Sequence, residues 1–160
     1  MPSFPSVFYS PTGQPYAFGI AAAGALQALP ADVALTGSPV RQFSQAVDAA
    51  LNFVYDFEAN LYLNVTGAGI VTTVTGVTTG SPVNRQIQLT QTTATAPEQR
   101  SSVGTGDQTI ASSSISTGTR SIIIRGSAKP TVAGAVFLDV STGGTVTLLA
   151  GSTFRVWRTE

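Results

Sequence analysis

Asp56 and Glu58 are the only close pair of carboxylates in the chain, two positions apart in an otherwise apolar-rich stretch. Projecting from one face of a strand, their carboxyls would stand roughly 6 to 7 Å apart, near the separation glycoside hydrolases use between acid and base. The same spacing suits a solvated or Arg-paired strand face, and neither a second acidic cluster nor an aromatic groove accompanies the pair in the sequence. Ser112-Ser-Ser114 offers hydroxyls, but the chain contains no His and no Cys. Ser-His and Cys-His nucleophile systems, the common transition-metal sites and disulfides are therefore excluded. The expectation is a non-enzymatic protein with no catalytic residues, no metal ligands and no cofactor.

A second group of residues suits recognition. Arg120, Arg125, Arg155 and Arg158 gather in the last third of the chain, with Trp157 beside two of them. Guanidinium forks bind anions and an indole stacks on rings, so these five are candidates for inter-subunit or ligand contacts, although ordinary outward-facing strand positions are the better explanation of them. Asn64-Val-Thr66 fits a glycosylation sequon, a match too short to carry weight alone.

Charge narrows the partners. Eight basic residues balance eight acidic ones, and no run of either sign occurs. A nucleic-acid surface needs clustered Lys and Arg, so no nucleic-acid partner is expected. Zero net charge on a weakly charged chain gives little protection against self-association. The longest uncharged apolar run, from Tyr16 to Leu29, is shorter than the roughly 20 residues of a membrane span, and no Lys or Arg precedes Arg41 to make a signal-peptide n-region. Neither membrane anchor nor export signal is expected.

The element that must position these side chains is Leu51 to Val65. Its odd positions are all apolar, namely Leu51, Phe53, Tyr55, Phe57, Ala59, Leu61, Leu63 and Val65, while most even positions are polar. A period of two builds one apolar and one wet face, the pattern of a strand in a sheet covered on one side. After it come short apolar or Thr-rich runs separated by Gly and Pro: Ile70 to Val77, Val83 to Gln91, Gln108 to Ser116, Ser121 to Arg125, Thr131 to Val140, Thr145 to Leu149 and Thr153 to Arg158. About eight strands result, predicting an all-β, jelly-roll-like two-sheet antiparallel sandwich. Ile122-Ile-Ile124 lacks alternation and reads as covered on both faces; Thr92 to Asp107 reads as a long loop; Gln42 to Ala50 and Ala21 to Leu29 have helical spacing and read as single turns.

Met1 to Val40 differs in kind. It holds six of the nine prolines and one charged side chain, Asp32, yet carries Phe4, Phe8, Tyr9, Tyr16 and Phe18. Proline keeps a segment out of the centre of a sheet, and the aromatics require burial, so an extended Pro-rich N-terminal arm over residues 1–41, wrapping either its own domain or, the favoured alternative, a neighbour, precedes a sandwich domain over 42–160. The five aromatics are its partner-binding candidates.

Gly144 to Arg158, with its Thr-rich apolar strand, Ala-Gly-Ser turn and final aromatic-Arg-apolar strand, resembles the closing hairpin of small β-sandwich virion proteins of tailed bacteriophages. The long strand Leu51 to Val65 and Ser-Ile-Ile-Ile-Arg-Gly at 121–126 fall in the matching order. Within that group, a single sandwich with an apolar arm is most similar to capsid decoration, or cement, proteins. The resemblance implies a structural protein on the capsid surface of a virion, made in the host cytoplasm, that clamps neighbouring copies of the major capsid protein and associates as a homotrimer. A receptor-binding or tail-fibre module recognising host surface carbohydrate near Trp157 is the alternative.

Overall fold

The computed structural model describes residues 7–9, 15–17, 26–47, 53–77, 83–92, 97–104, 106–112, 114–132 and 134–159. In chain order the strands are β1 (Val7–Tyr9), β2 (Pro15–Ala17), β3 (Gln27–Ala28), β4 (Val33–Ala34), β5 (Val40–Val47), β6 (Tyr55–Gly67), β7 (Val71–Val77), β8 (Val83–Thr92), β9 (Pro97–Gly104), β10 (Gln108–Ala111), β11 (Gly118–Lys129), β12 (Gly134–Thr142), β13 (Thr145–Leu148) and β14 (Thr153–Arg158). No helix occurs among the described residues.

The alternating run is the central strand, as its period requires. β6 spans 13 residues. Phe57, Ala59, Leu61, Leu63 and Val65 are each 1 % exposed or less, whereas Tyr62 on the other face is 45 % exposed. Burying each large side chain of that row contributes about 1.5 to 3 kcal/mol, which holds the register against a one-residue slip. Leu51, the start of the expected run, lies outside the described residues.

Two antiparallel sheets enclose the core. The larger has the order β3-β14-β6-β11-β8-β9, with β13 and β4 added beside β6; the smaller has the order β10-β7-β12-β5. β6 pairs with β13 and β14, β7 with β12, and β8 with β11. Such nested partners are those of one long hairpin rolled into two layers, the jelly-roll principle. Phe43 of the smaller sheet meets Phe154 of the larger at 5.7 Å between ring centroids, and Phe57 lies 6.3 Å from Phe154. Glutamine amides join the sheets at their shared edge: Gln27 Nε2 donates to Ser44 O (2.6 Å) and its Oε1 accepts from Ser44 N–H (3.1 Å), while Gln45 Oε1 accepts from Val156 N–H (2.7 Å).

The closing segment is not a hairpin. β13 and β14 run in the same direction along the same edge of β6, Leu148 opposite Leu63 and Thr153 opposite Asn60, so four residues of the outer strand span two of the inner. The Ala-Gly-Ser sequence forms this bulge. Gly151 takes φ +83°, open to glycine at no steric cost. Ser152, fully buried, replaces the missing ladder partner: its Oγ accepts from Tyr62 N–H (3.0 Å) and donates to Leu149 O (2.8 Å). A two-residue turn and a bulge share one composition; the choice fell to the second because β6 is long enough to pair both halves.

Other expectations change with the same logic. Gln42 to Ala50 is not a helical turn up to Val47, because β5 needs that stretch as the partner of β12. Pro97 to Gly104, expected in a loop, is β9, paired to β8 from Thr92↔Pro97 to Arg85↔Gly104. Ile122 and Ile124 are fully buried while Ile123 is half-buried on the outer face, so the triplet is covered on one side only. Most of Ala21 to Leu29 lies outside the described residues, and its end forms β3 rather than a helix.

The sandwich reaches further back than residue 42. β3 pairs with β14, β4 pairs with β13, and Leu29 is buried in the core. β1 and β2 pair with each other, Phe8 opposite Tyr16, and with no other strand among those described. The segment from Leu26 to Val40, expected to belong to the arm, is therefore an edge of the domain.

Candidate functional site

β14, β6 and β11 are consecutive in the larger sheet, and strand alternation sends their polar residues outward while Phe57, Phe154, Ile122 and Ile124 point into the core. The register then assembles two rows across the three strands. Arg155, Glu58 and Arg125 stand side by side, and next to them stand Trp157, Asp56 and Ser127. Together they line an open groove of about 410 Å³.

In the first row the charges are matched. Glu58 Oε2 accepts from Arg125 Nε (2.7 Å); Oε1 accepts from Asn60 Nδ2 (3.1 Å) and from Arg155 Nη2 (3.4 Å). The Arg125 hydrogen bond holds the Glu58 carboxyl below its ordinary pKa against the opposing effect of burial, with Asn60 and Arg155 adding to it. Both oxygens are engaged, which leaves Glu58 poorly suited to act as nucleophile or proton donor.

The second row is different. Asp56 makes no hydrogen bond or ion pair among the described residues, and burial raises its pKa above the ordinary 3.8. Trp157 is half-buried, and the Arg155 guanidinium lies 4.9 Å from the centroid of its ring. The arrangement is an acceptor with no donor, an aromatic ring held by one face, and a hydroxyl from Ser127, all around one hollow.

Of the residues singled out in the sequence, Arg125, Arg155 and Trp157 meet here, together with the carboxylate pair. Arg120 does not: it sits near the other end of β11 and donates to Thr117 O (2.6 Å), Ser116 Oγ (2.8 Å) and Thr119 O (3.0 Å), tying down its own turn. Arg158 lies over the Phe53 ring at 4.2 Å. Ser112 is structural, since its buried Oγ accepts from Val71 N–H (2.9 Å). Ser127 carried no signal in the sequence; only the β6–β11 register brings it opposite Asp56. Among the arm aromatics, Phe4 and Phe18 lie outside the described residues, and Phe8, Tyr9 and Tyr16 belong to the β1–β2 pair. The chain matches no protein-family model, no curated protein and no solved structure.

The two carboxylates predict opposite pH behaviour. Glu58, lowered from 4.5, contributes stability that is present above that value and lost as pH falls through its folded pKa. Asp56, raised from 3.8, favours the fold while protonated and loses that contribution as pH rises through its folded pKa. Asp56→Asn is therefore expected to raise the urea midpoint at about pH 7 and to leave it unchanged at about pH 3, where the carboxyl is neutral in both states. A lower midpoint at neutral pH would show that the Asp56 charge is stabilised rather than stranded.

Proposed function

We propose that this chain is a non-enzymatic structural protein of a tailed-bacteriophage virion, a capsid decoration protein that clamps neighbouring capsid subunits and strengthens the shell. The observation that carries the reading is the division of the chain. A sandwich closed from Leu26 onward is preceded by an aromatic, proline-rich arm whose two strands bond each other and, among the described residues, share no ladder with either sheet. An arm of that composition gains from docking on another surface, and the near-neutral sandwich does not repel its own copies. The engagement of both Glu58 oxygens supports the non-enzymatic part. The partners are the major capsid protein and the chain itself as a homotrimer; the location is the outside of the capsid.

The test is co-sedimentation of the full-length protein with capsids assembled from the major capsid protein of the same virus. Two aromatic rings burying about 150 to 250 Å² each contribute several kcal/mol before ordering costs. Phe8→Ala combined with Tyr9→Ala is therefore expected to weaken capsid binding at least about tenfold while moving the melting midpoint by no more than a few degrees. Light scattering of the unaltered protein is expected to give the mass of three chains. Capsid binding untouched by the double substitution would remove the arm from the mechanism.

A further inference from the structure

The groove on the larger sheet has no task in clamping by the arm. We propose that it is a binding site for a neutral glycan, one or two hexose units of a saccharide laid along Trp157 and hydrogen-bonded by Asp56 and Ser127. At about 410 Å³ it falls within the range of small-molecule sites, about 300 to 1,000 Å³.

Charge selects the ligand class. Arg125 and Arg155 balance Asp56 and Glu58, and both guanidiniums are committed to Glu58. An anion reaching the terminal N–H groups of Arg125 would face Asp56 and the Glu58 carboxylate already paired there; a cation attracted to Asp56 would meet the two guanidiniums of the adjoining row. A divalent metal would find a single uncommitted carboxylate, too few oxygens for a hard cation. A neutral polyol meets none of these penalties.

Unused hydrogen-bonding capacity points the same way. Asp56 is partly removed from water without any donor among the described residues, and two sugar hydroxyls would supply what it lacks. Arg125 uses only Nε on Glu58, so its terminal N–H groups are available to ring and hydroxyl oxygens. Arg155 holds the indole from one face, and the C–H face of a pyranose would lie along the other. The site binds without cleaving, because hydrolysis needs a second carboxylate and Glu58 has both oxygens occupied. Nothing in this depends on what the arm binds.

Trp157 is the only tryptophan, so its emission reports on the groove without a label. The full-length protein would be titrated with malto-, cello-, manno- and N-acetylchito-hexaose, and with oligogalacturonate of equal length as the acidic comparison. At least one neutral sugar is expected to change the emission saturably with a Kd of about 0.1 to 10 mM, as an open groove with one stacked ring delivers, and oligogalacturonate to bind at least about tenfold more weakly. Asp56→Ala and Asp56→Asn, which keep the indole, are both expected to weaken that sugar at least about tenfold, whereas Arg120→Ala, outside the groove, leaves it unchanged. Asp56→Asn preserves the shape of the side chain, so its loss of binding alongside a cooperative melt with a midpoint no lower than that of the unaltered protein separates recognition from folding. The proposal is overturned if no neutral sugar gives a saturable change, if oligogalacturonate binds as tightly, or if Asp56→Asn binds like the unaltered protein.

Discussion

Phe154→Ala is expected to lower the stability of the sandwich by about 3 to 5 kcal/mol, the range for deleting a fully buried aromatic ring. The side chain has no exposed surface and sits between Phe43 of the smaller sheet and Phe57 of the larger, so its removal opens a void where the two sheets meet. Against a typical total of about 5 to 15 kcal/mol, that loss is a large part of what keeps the domain folded. Phe57→Ala, one strand away in the same cluster, is expected to cost a similar amount. Asn60→Ala, on the outward face of the same strand, removes a hydrogen bond to Glu58 and is expected to cost less than about 1 kcal/mol. Urea melts of the three variants decide the matter: comparable small effects would mean that the inner face of β6 is not the face that packs.

Truncation is expected to divide the first forty residues in two. A chain beginning at Leu26 should keep its cooperative melt to within a few degrees, while one beginning at Arg41 should aggregate or melt without cooperativity. The second cut removes Leu29 from the core and strips the bulge and both adjoining strands of partners. Leu29 N–H donates to Ser152 O (2.8 Å), Gly151 N–H to Leu29 O (2.9 Å), Leu35 N–H to Val146 O (3.0 Å) and Thr142 N–H to Thr36 O (2.8 Å). Asp32 Oδ1 also accepts from Ala150 N–H at 2.7 Å. Each buried backbone group left without its partner costs about 1 to 3 kcal/mol, and several are lost together. The Gln27 clamp on Ser44 would go as well, exposing the edge of β5. If instead the chain from Arg41 melts like the full protein, the strip from Leu26 to Val40 is peripheral and the boundary at residue 42 expected from composition stands.

What the sequence by itself determined is the class of fold and the register of its central strand. The alternation from Phe57 to Val65 places one apolar row inward, and only a strand with one covered face satisfies it. The absence of His and Cys likewise excluded whole families of chemistry before any coordinate was needed. Pairing decided the rest, and pairing is a property of distant residues. Proline content set Met1 to Val40 apart as one arm, yet β3 and β4 pair with β14 and β13, and Leu29 and Asp32 bond the bulge between those two strands, more than a hundred residues later. Ala150-Gly-Ser152 carries the composition of a turn and became a bulge because β6 offered one continuous edge to both β13 and β14. The groove follows the same rule. Asp56 with Glu58, and Arg125, Arg155 and Trp157, were each visible as separate groups along the chain; the antiparallel register of β11 and β14 on β6 set them in two adjacent rows and brought in Ser127, which no local pattern marks. Local periodicity fixes which face a side chain takes, but which strand lies next to it is settled only when the two sheets close over a common core.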